Sequence, residues 1–203
     1  MLSRPPTVSH HQHRLFSTTP QPRQSKDEPS PKLSHVTASG AAHMVSISDK
    51  TPTTRRARAK CTVRFSSPVA PALVRANQMK KGDVLGVARV AGLMAAKRTP
   101  DLIPLCHPIA LTHAEVELVV LPAAATTTTA TPEETDRIEI TATVSCDGKT
   151  GVEMEALTAA GAAALTVYDM CKAVDKGMVI DRLRVVLKEG GKSGRWVEGE
   201  REE

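Results

Sequence analysis

Four stretches of the chain alternate apolar and polar residues. They are 60–65 with Cys61, Val63 and Phe65, 111–121 with Ala114, Val116, Leu118 and Val120, 138–145 with Ile138, Ile140, Ala142 and Val144, and 182–188 with Leu183, Val185 and Leu187. A period of two is that of a strand, and the polar residues between give each strand one wet face. Helical spacing predicts helices over about 69–79, 83–98 and 152–174. In the last of these, Met154, Leu157, Gly161, Leu165, Tyr168 and Cys171 recur at three and four residues, the spacing of one buried stripe. The run of small residues from Ala159 to Ala164 lets another backbone come close. Strand, helices, strand, strand, helix, strand is the order of an α+β, ferredoxin-like (split βαβ) fold: an antiparallel sheet with helices packed on one face. The other face is expected to be apolar in part and buried against a second subunit.

Composition sharpens this picture at the ends of the chain. Residues 1–32 are expected to be a disordered leader, because six of the 14 prolines fall within residues 5–31. The first 26 residues hold no acid, four basic residues and the run Arg14-Leu15-Phe16-Ser17-Thr18-Thr19, which reads as a mitochondrial transit peptide and points to the matrix. Residues 122–136, with four consecutive threonines, read as a low-complexity hairpin insertion without function, and 195–203 as a polar C-terminal tail. The domain proper is expected to span 33–194.

Of the formal charge of +5, residues 1–36 carry +3, from five cations against two acids, which leaves the body at only +2. A nearly balanced body fits a small phosphorylated ligand held by a few lysines rather than a nucleic acid, which asks for a broad basic stripe. Four aromatic residues, Phe16, Phe65, Tyr168 and Trp196, are too few for a platform on which bases stack. No membrane span is present. Cys61, Cys106, Cys146 and Cys171 show no paired spacing suited to zinc and read as reduced, mostly buried thiols.

Four groups of residues carry candidate chemistry. Gly148-Lys149-Thr150 and Gly191-Lys192-Ser193 resemble the end of a Walker loop. Thr143 and Val186 stand where its first glycine is required, so neither is one, yet both remain amide-rich turns bearing a lysine that can cradle phosphate. Three prolines between Thr99 and Pro108 make a rigid loop that presents Cys106 and His107. On the long helix, Glu153 and Glu155 lie in the first turn, where the helix dipole favours carboxylates. Asp169 and Lys172 lie three apart near its end, a plain surface pair or, in a partly buried setting, an acid and a base with linked protonation. Lys80-Lys81-Gly82-Asp83 opens a helix with Asp83 as cap, and its lysines are either solvated or held beside a phosphate.

Taken together, several strings resemble the MoaC family, the cyclic pyranopterin monophosphate synthases of molybdenum cofactor biosynthesis. They are Lys81-Gly82-Asp83-Val84, Asp101 to Pro108 (DLIPLCHP), Gly148 to Thr158 (GKTGVEMEALT), Tyr168-Asp169-Met170-Cys171-Lys172-Ala173 and Gly190-Gly191-Lys192-Ser193-Gly194. Leu33-Ser34-His35-Val36 and Ala42-His43-Met44-Val45 are similar to the family's start, so the likeness spans about 33–194 without the threonine-rich insertion.

The resemblance implies conversion of 3′,8-cyclo-7,8-dihydroguanosine 5′-triphosphate to cyclic pyranopterin monophosphate with loss of pyrophosphate. It implies a homohexamer, a trimer of dimers, with active sites between subunits. Lys81, Asp169 and Lys172 are the expected catalytic residues, an acid–base set with pKa values moved toward neutrality. Substrate contacts carry over to Leu105, Cys106, His107, Glu153, Met154, Glu155 and Lys188, with Lys149 and Lys192 as further candidates for the triphosphate. Glu153 or Glu155 would read the amino-pyrimidinone edge of the base. No metal site and no cofactor are expected, and a divalent cation arriving with the triphosphate is left open. A rival reading is a catalytically silent domain that sequesters a nucleoside triphosphate.

Overall fold

The computed structural model describes residues 40–123 and 135–200. The expected leader, the string 33–36, most of the threonine-rich insertion and the last three residues lie outside this range.

The elements follow the expected order: β1 (Thr53–Arg64), α1 (Val69–Arg75), α2 (Val84–Lys97), α3 (Thr99–Leu102), β2 (His113–Leu121), β3 (Arg137–Gly148), α4 (Glu153–Cys171), β4 (Val179–Glu189) and β5 (Trp196–Val197). The strands form one antiparallel sheet in the order β2-β3-β1-β4-β5, the arrangement of a ferredoxin-like fold with a short extra edge. That edge lies in the stretch expected as a tail. β1 begins seven residues earlier than its alternation predicts. Ala57 and Ala59 fill its inner positions there, and such small residues between arginines give a weak apolar signal. The proline loop begins with the single turn of α3.

The core lies between the inner face of the sheet and α4, and it is built from small aliphatic side chains. Ala57, Ala59, Cys61 and Val63 of β1 and Ile138, Ile140, Ala142 and Val144 of β3 are buried against Ala156, Ala159, Ala160, Ala163, Ala164 and Val167 of α4. The stripe expected from helical spacing is therefore not the buried one. Of its six members only Cys171 is fully buried, and Leu165 is 65% exposed. The alanines let the helix axis approach the sheet and α2, and the bulkier residues fall on its flank. At Gly92 a Cβ would stand 2.9 Å from the Ala159 carbonyl oxygen, so α2 and α4 cross nearly backbone to backbone.

One further expectation changes. Leu187 pairs opposite Arg58 while Val185 pairs opposite Ala59, because the register shifts between them; Leu187 lies on the open face and Lys188 turns to the helix side. The open face is charged, with Arg56, Arg58, Lys60 and Arg64 on β1, Glu115 and Glu117 on β2 and Glu139 on β3. That face is also apolar in part, through Val119, Val179 and Leu187, and on the helix side Val87, Val90 and Met94 of α2, Leu165, and Leu183 beside Gly161 are exposed as well. Among the described residues no helix is long and apolar enough to cross a membrane.

Candidate active site

The candidate catalytic and carboxylate residues gather at the two ends of α4. At the C-terminal end Asp169 is exposed and accepts two ammonium groups. Lys172, one turn on, places Nζ 2.6 Å from Oδ1. Lys81 comes from 88 residues away, with Nζ 2.6 Å from Oδ2 and 3.0 Å from the Asp169 carbonyl oxygen. Lys81 is presented by a turn closed by the Gly82 amide on the Met79 carbonyl. The Asp83 side chain then caps α2 by accepting from the Gly86 amide at 2.9 Å, as the sequence predicts.

The three catalytic candidates are thus in contact, but their protonation differs from the expectation. Hydrogen bonds from Lys172 and Lys81 hold the Asp169 carboxyl down to about 2. The hydrogen bond to Asp169 and its charge push the Lys172 ammonium up, away from neutrality. Opposite charges in contact stabilise each other's ionised forms and drive the two pKa values apart. All three side chains are about half exposed, so in one protomer this is a surface cluster.

At the N-terminal end Glu153 Oε1 lies 3.0 Å from Lys188 Nζ, a pair that follows from the turned register of β4. Glu155 is only 3% exposed. Burial pushes its carboxyl up, and the neighbouring Glu153 adds to this against a backbone hydrogen bond. Glu155 is therefore the carboxyl among the candidates that moves toward neutrality. Its charge and, more strongly, burial raise the Cys106 thiol, which places the Cys-His loop beside this end of the helix. The His107 Nε2–H donates to the Val45 carbonyl at 2.8 Å, and Lys149 donates to the Ser48 carbonyl at 2.7 Å, so the segment before β1 is fastened here too. Leu105 and Met154 are exposed apolar side chains, and Lys192 is exposed on the glycine-rich turn after β4.

Arg55, which the sequence reading does not single out, joins the two glycine–lysine turns. Its Nε donates to the Gly148 carbonyl at 2.9 Å, and its guanidinium lies against Gly191. In the sequence it is one cation in an arginine-rich run, and only its half-buried position within the strand sets it apart.

The two ends are not brought together. Glu155 and Asp169 are 14 positions apart on one helix, or ~21 Å at 1.5 Å per residue. Two large grooves of about 530 Å³, one between α2 and the edge strand β2 and the other on the open face, are lined by none of the candidate residues. Among the described residues no three His, Cys, Asp or Glu side chains converge as a metal set.

Comparison with known proteins agrees in extent with this description. Residues 44–191 match the model of the MoaC family. The cyclic pyranopterin monophosphate synthase of Chloroflexus aurantiacus is 52% identical over 165 residues, covering 81% of this chain and 94% of that protein. The same-named protein of Desulforamulus reducens is 51% identical over 170 residues, covering 83% and 96%. That of Streptomyces coelicolor is 49% identical over 181 residues, covering 89% and 98%.

Proposed function

Because this chain belongs to the MoaC family, we propose that it is a cyclic pyranopterin monophosphate synthase, a lyase of molybdenum cofactor biosynthesis. Its substrate is the cyclised nucleotide 3′,8-cyclo-7,8-dihydroguanosine 5′-triphosphate, and pyrophosphate leaves. The observation that carries the residue assignment is the Lys81–Asp169–Lys172 cluster, three groups from two distant segments in direct contact.

In this reading Lys172 and Lys81 act on the reacting ring as proton donors and as fixed positive charge, and Asp169 holds them in place. At neutral pH Lys172 is a donor, since its own pKa is raised. Positive charge aimed at oxygens that gain charge as pyrophosphate departs is the largest electrostatic contribution available. Lys149, Lys188, Lys192 and Arg55 supply it at the other end of α4. There Glu153 and Glu155 accept hydrogen bonds from the amino-pyrimidinone edge, with Leu105, Met154, Cys106 and His107 shaping the wall.

The distance along α4 calls for a second copy of the chain, so that the C-terminal cluster of one protomer faces the N-terminal cluster of its partner; a hexamer built of such dimers is the assembly proposed. The protein needs no resident cofactor or metal in this scheme. Assays of chelator-treated protein with and without added Mg²⁺ separate a resident metal from one carried by the triphosphate. The reading of residues 1–32 as an import signal to the mitochondrial matrix rests on composition, and N-terminal sequencing of the protein recovered from cells tests it.

The deciding experiment supplies purified cyclised nucleotide and follows pyrophosphate and pterin. Wild-type protein releases both and Lys172→Ala releases neither while keeping its fold. Binding of the nucleotide without turnover by the wild type would establish the sequestering domain instead.

A further inference from the structure

One buried titratable group has no part in the scheme above. Asp175 is 3% exposed and lies in the turn between α4 and β4. Its Oδ2 accepts the Ser66 amide at 2.7 Å, and its Oδ1 accepts the Gly177 amide at 2.9 Å and the Ser66 hydroxyl. Burial pushes the carboxyl up, but the hydrogen bonds from Ser66, Gly177 and the Ser67 amide outweigh it and keep the group below its ordinary value. Gly177 is required for the approach, since a Cβ there would stand 2.6 Å from Ser66 Oγ.

The clasp joins the two segments that bear the ammonium groups. The turn it closes begins at Lys172 and is tied back to α4, through the Val174 and Asp175 amides on the Cys171 carbonyl and the Tyr168 hydroxyl on the Lys176 carbonyl. Ser66, on the other side, is the point where the chain leaves β1 for the excursion over α1 that returns at Lys81. Between the clasp and the Asp83 cap, that excursion is fixed by the burial of Ala70, Pro71, Val74 and Met79. We propose that Asp175 is a positioning residue for the catalytic cluster: through Ser66 it sets where the Lys81 segment lies against the end of α4, and so the contact of Lys81 with Asp169.

An asparagine has one acceptor oxygen and a donor NH₂, so Asp175→Asn turns a donor toward at least one of the four groups that converge on the carboxylate. The loss reaches Asp169 through Lys81, and two measurements read it. The first is the titration of the Asp169 carboxyl by NMR, which is independent of turnover. Displacement of Lys81 removes one of its two ammonium partners and raises its midpoint by about one unit.

The second rests on the synthase reading: kcat falls about tenfold in Asp175→Asn with KM within about twofold, and the double variant with Lys81→Ala is no slower than Lys81→Ala alone. Should Asp175→Asn not fold, Ser66→Ala, which removes only the hydroxyl, carries the same two measurements with smaller shifts in the same direction. An unmoved Asp169 midpoint in a folded variant overturns the proposal, as does a kcat loss that adds in full to that of Lys81→Ala. Wild-type protein without turnover would overturn the synthase reading and leave the titration to decide the role of Asp175.

Discussion

Two impaired variants of this protein, mixed, should recover activity. Glu155→Gln removes the buried carboxylate at one end of α4 and Lys172→Ala an ammonium at the other, and ~21 Å of helix separates them. In the proposed assembly the two ends of one α4 serve different nucleotides, and each complete site joins the C-terminal end of one chain to the N-terminal end of another. In an isologous dimer the two sites are related by the twofold axis. When the variants are unfolded together at equal concentration and refolded, half of the C-terminal ends and half of the N-terminal ends are intact. Random pairing then gives about a quarter of the sites both halves intact. The assay is pyrophosphate release from the cyclised nucleotide, normalised to wild-type protein taken through the same unfolding and refolding. Recovery near a quarter supports a site shared between chains. Recovery no greater than the sum of the two variants' residual activities, with mixed oligomers demonstrated by differential tagging, would refute the shared site and require both clusters to act within one chain.

Glu155→Gln by itself should stabilise the protein while impairing it. Its folded-state pKa is raised, so the ionised form costs stability at neutral pH, and the gain shrinks as pH falls toward the ordinary value of 4.5. A higher melting temperature at pH 7 with kcat/KM reduced about 10- to 100-fold is the expected pair of results, and a lower melting temperature would contradict it. Asp169 behaves oppositely. Its carboxyl, held at about 2 against an ordinary 3.8, contributes to stability above pH 4 and loses that contribution as pH falls through 2; an NMR midpoint near 2 that rises in Lys172→Ala is expected. Gly92→Ala gains about 1 kcal/mol of helix propensity but drives a methyl group to 2.9 Å from the Ala159 carbonyl. Overpacking of about 1–3 kcal/mol prevails because a backbone oxygen cannot rotate away, so urea denaturation should show a net loss of ~1 kcal/mol. A variant as stable as wild type would show that α2 and α4 can slide apart.

Much of this molecule is legible in its sequence. The period-two runs place four strands, and their order with the helices specifies the sheet. Asp83 is readable as a cap because a short acceptor before an apolar run has few other uses. The buried side of α4 was harder to read. Hydrophobicity weights Met154, Leu157 and Leu165 above alanine, whereas close approach of two backbones rewards the smallest residue, so the larger residues fall on the flank. The course of β4 was hidden by a register shift, which reverses the face of Leu187 and Lys188 without any mark in the alternation. Arg55 and Asp175 escaped for a related reason. A half-buried arginine in a basic strand and a buried aspartate in a turn have the composition of ordinary surface, and only their partners distinguish them.

The electrostatics of the C-terminal cluster fits three half-exposed residues to the chemistry proposed for them. Two ammonium groups on one carboxylate repel each other, and alone in water each long side chain would spread over many rotamers. Asp169, with an oxygen for each at 2.6 Å, converts that repulsion into a fixed pair of donors. Its depressed pKa keeps it an ionised acceptor at neutral pH, so it holds both ammonium groups without exchanging protons itself. In the proposed assembly a partner chain and an anionic nucleotide cover the cluster, which would displace water and make the same charges interact more strongly. The lysines then face a ligand with more negative charge than the single carboxylate that held them. An arrangement that contributes little to the stability of one protomer would thereby become preorganised positive charge in the proposed site.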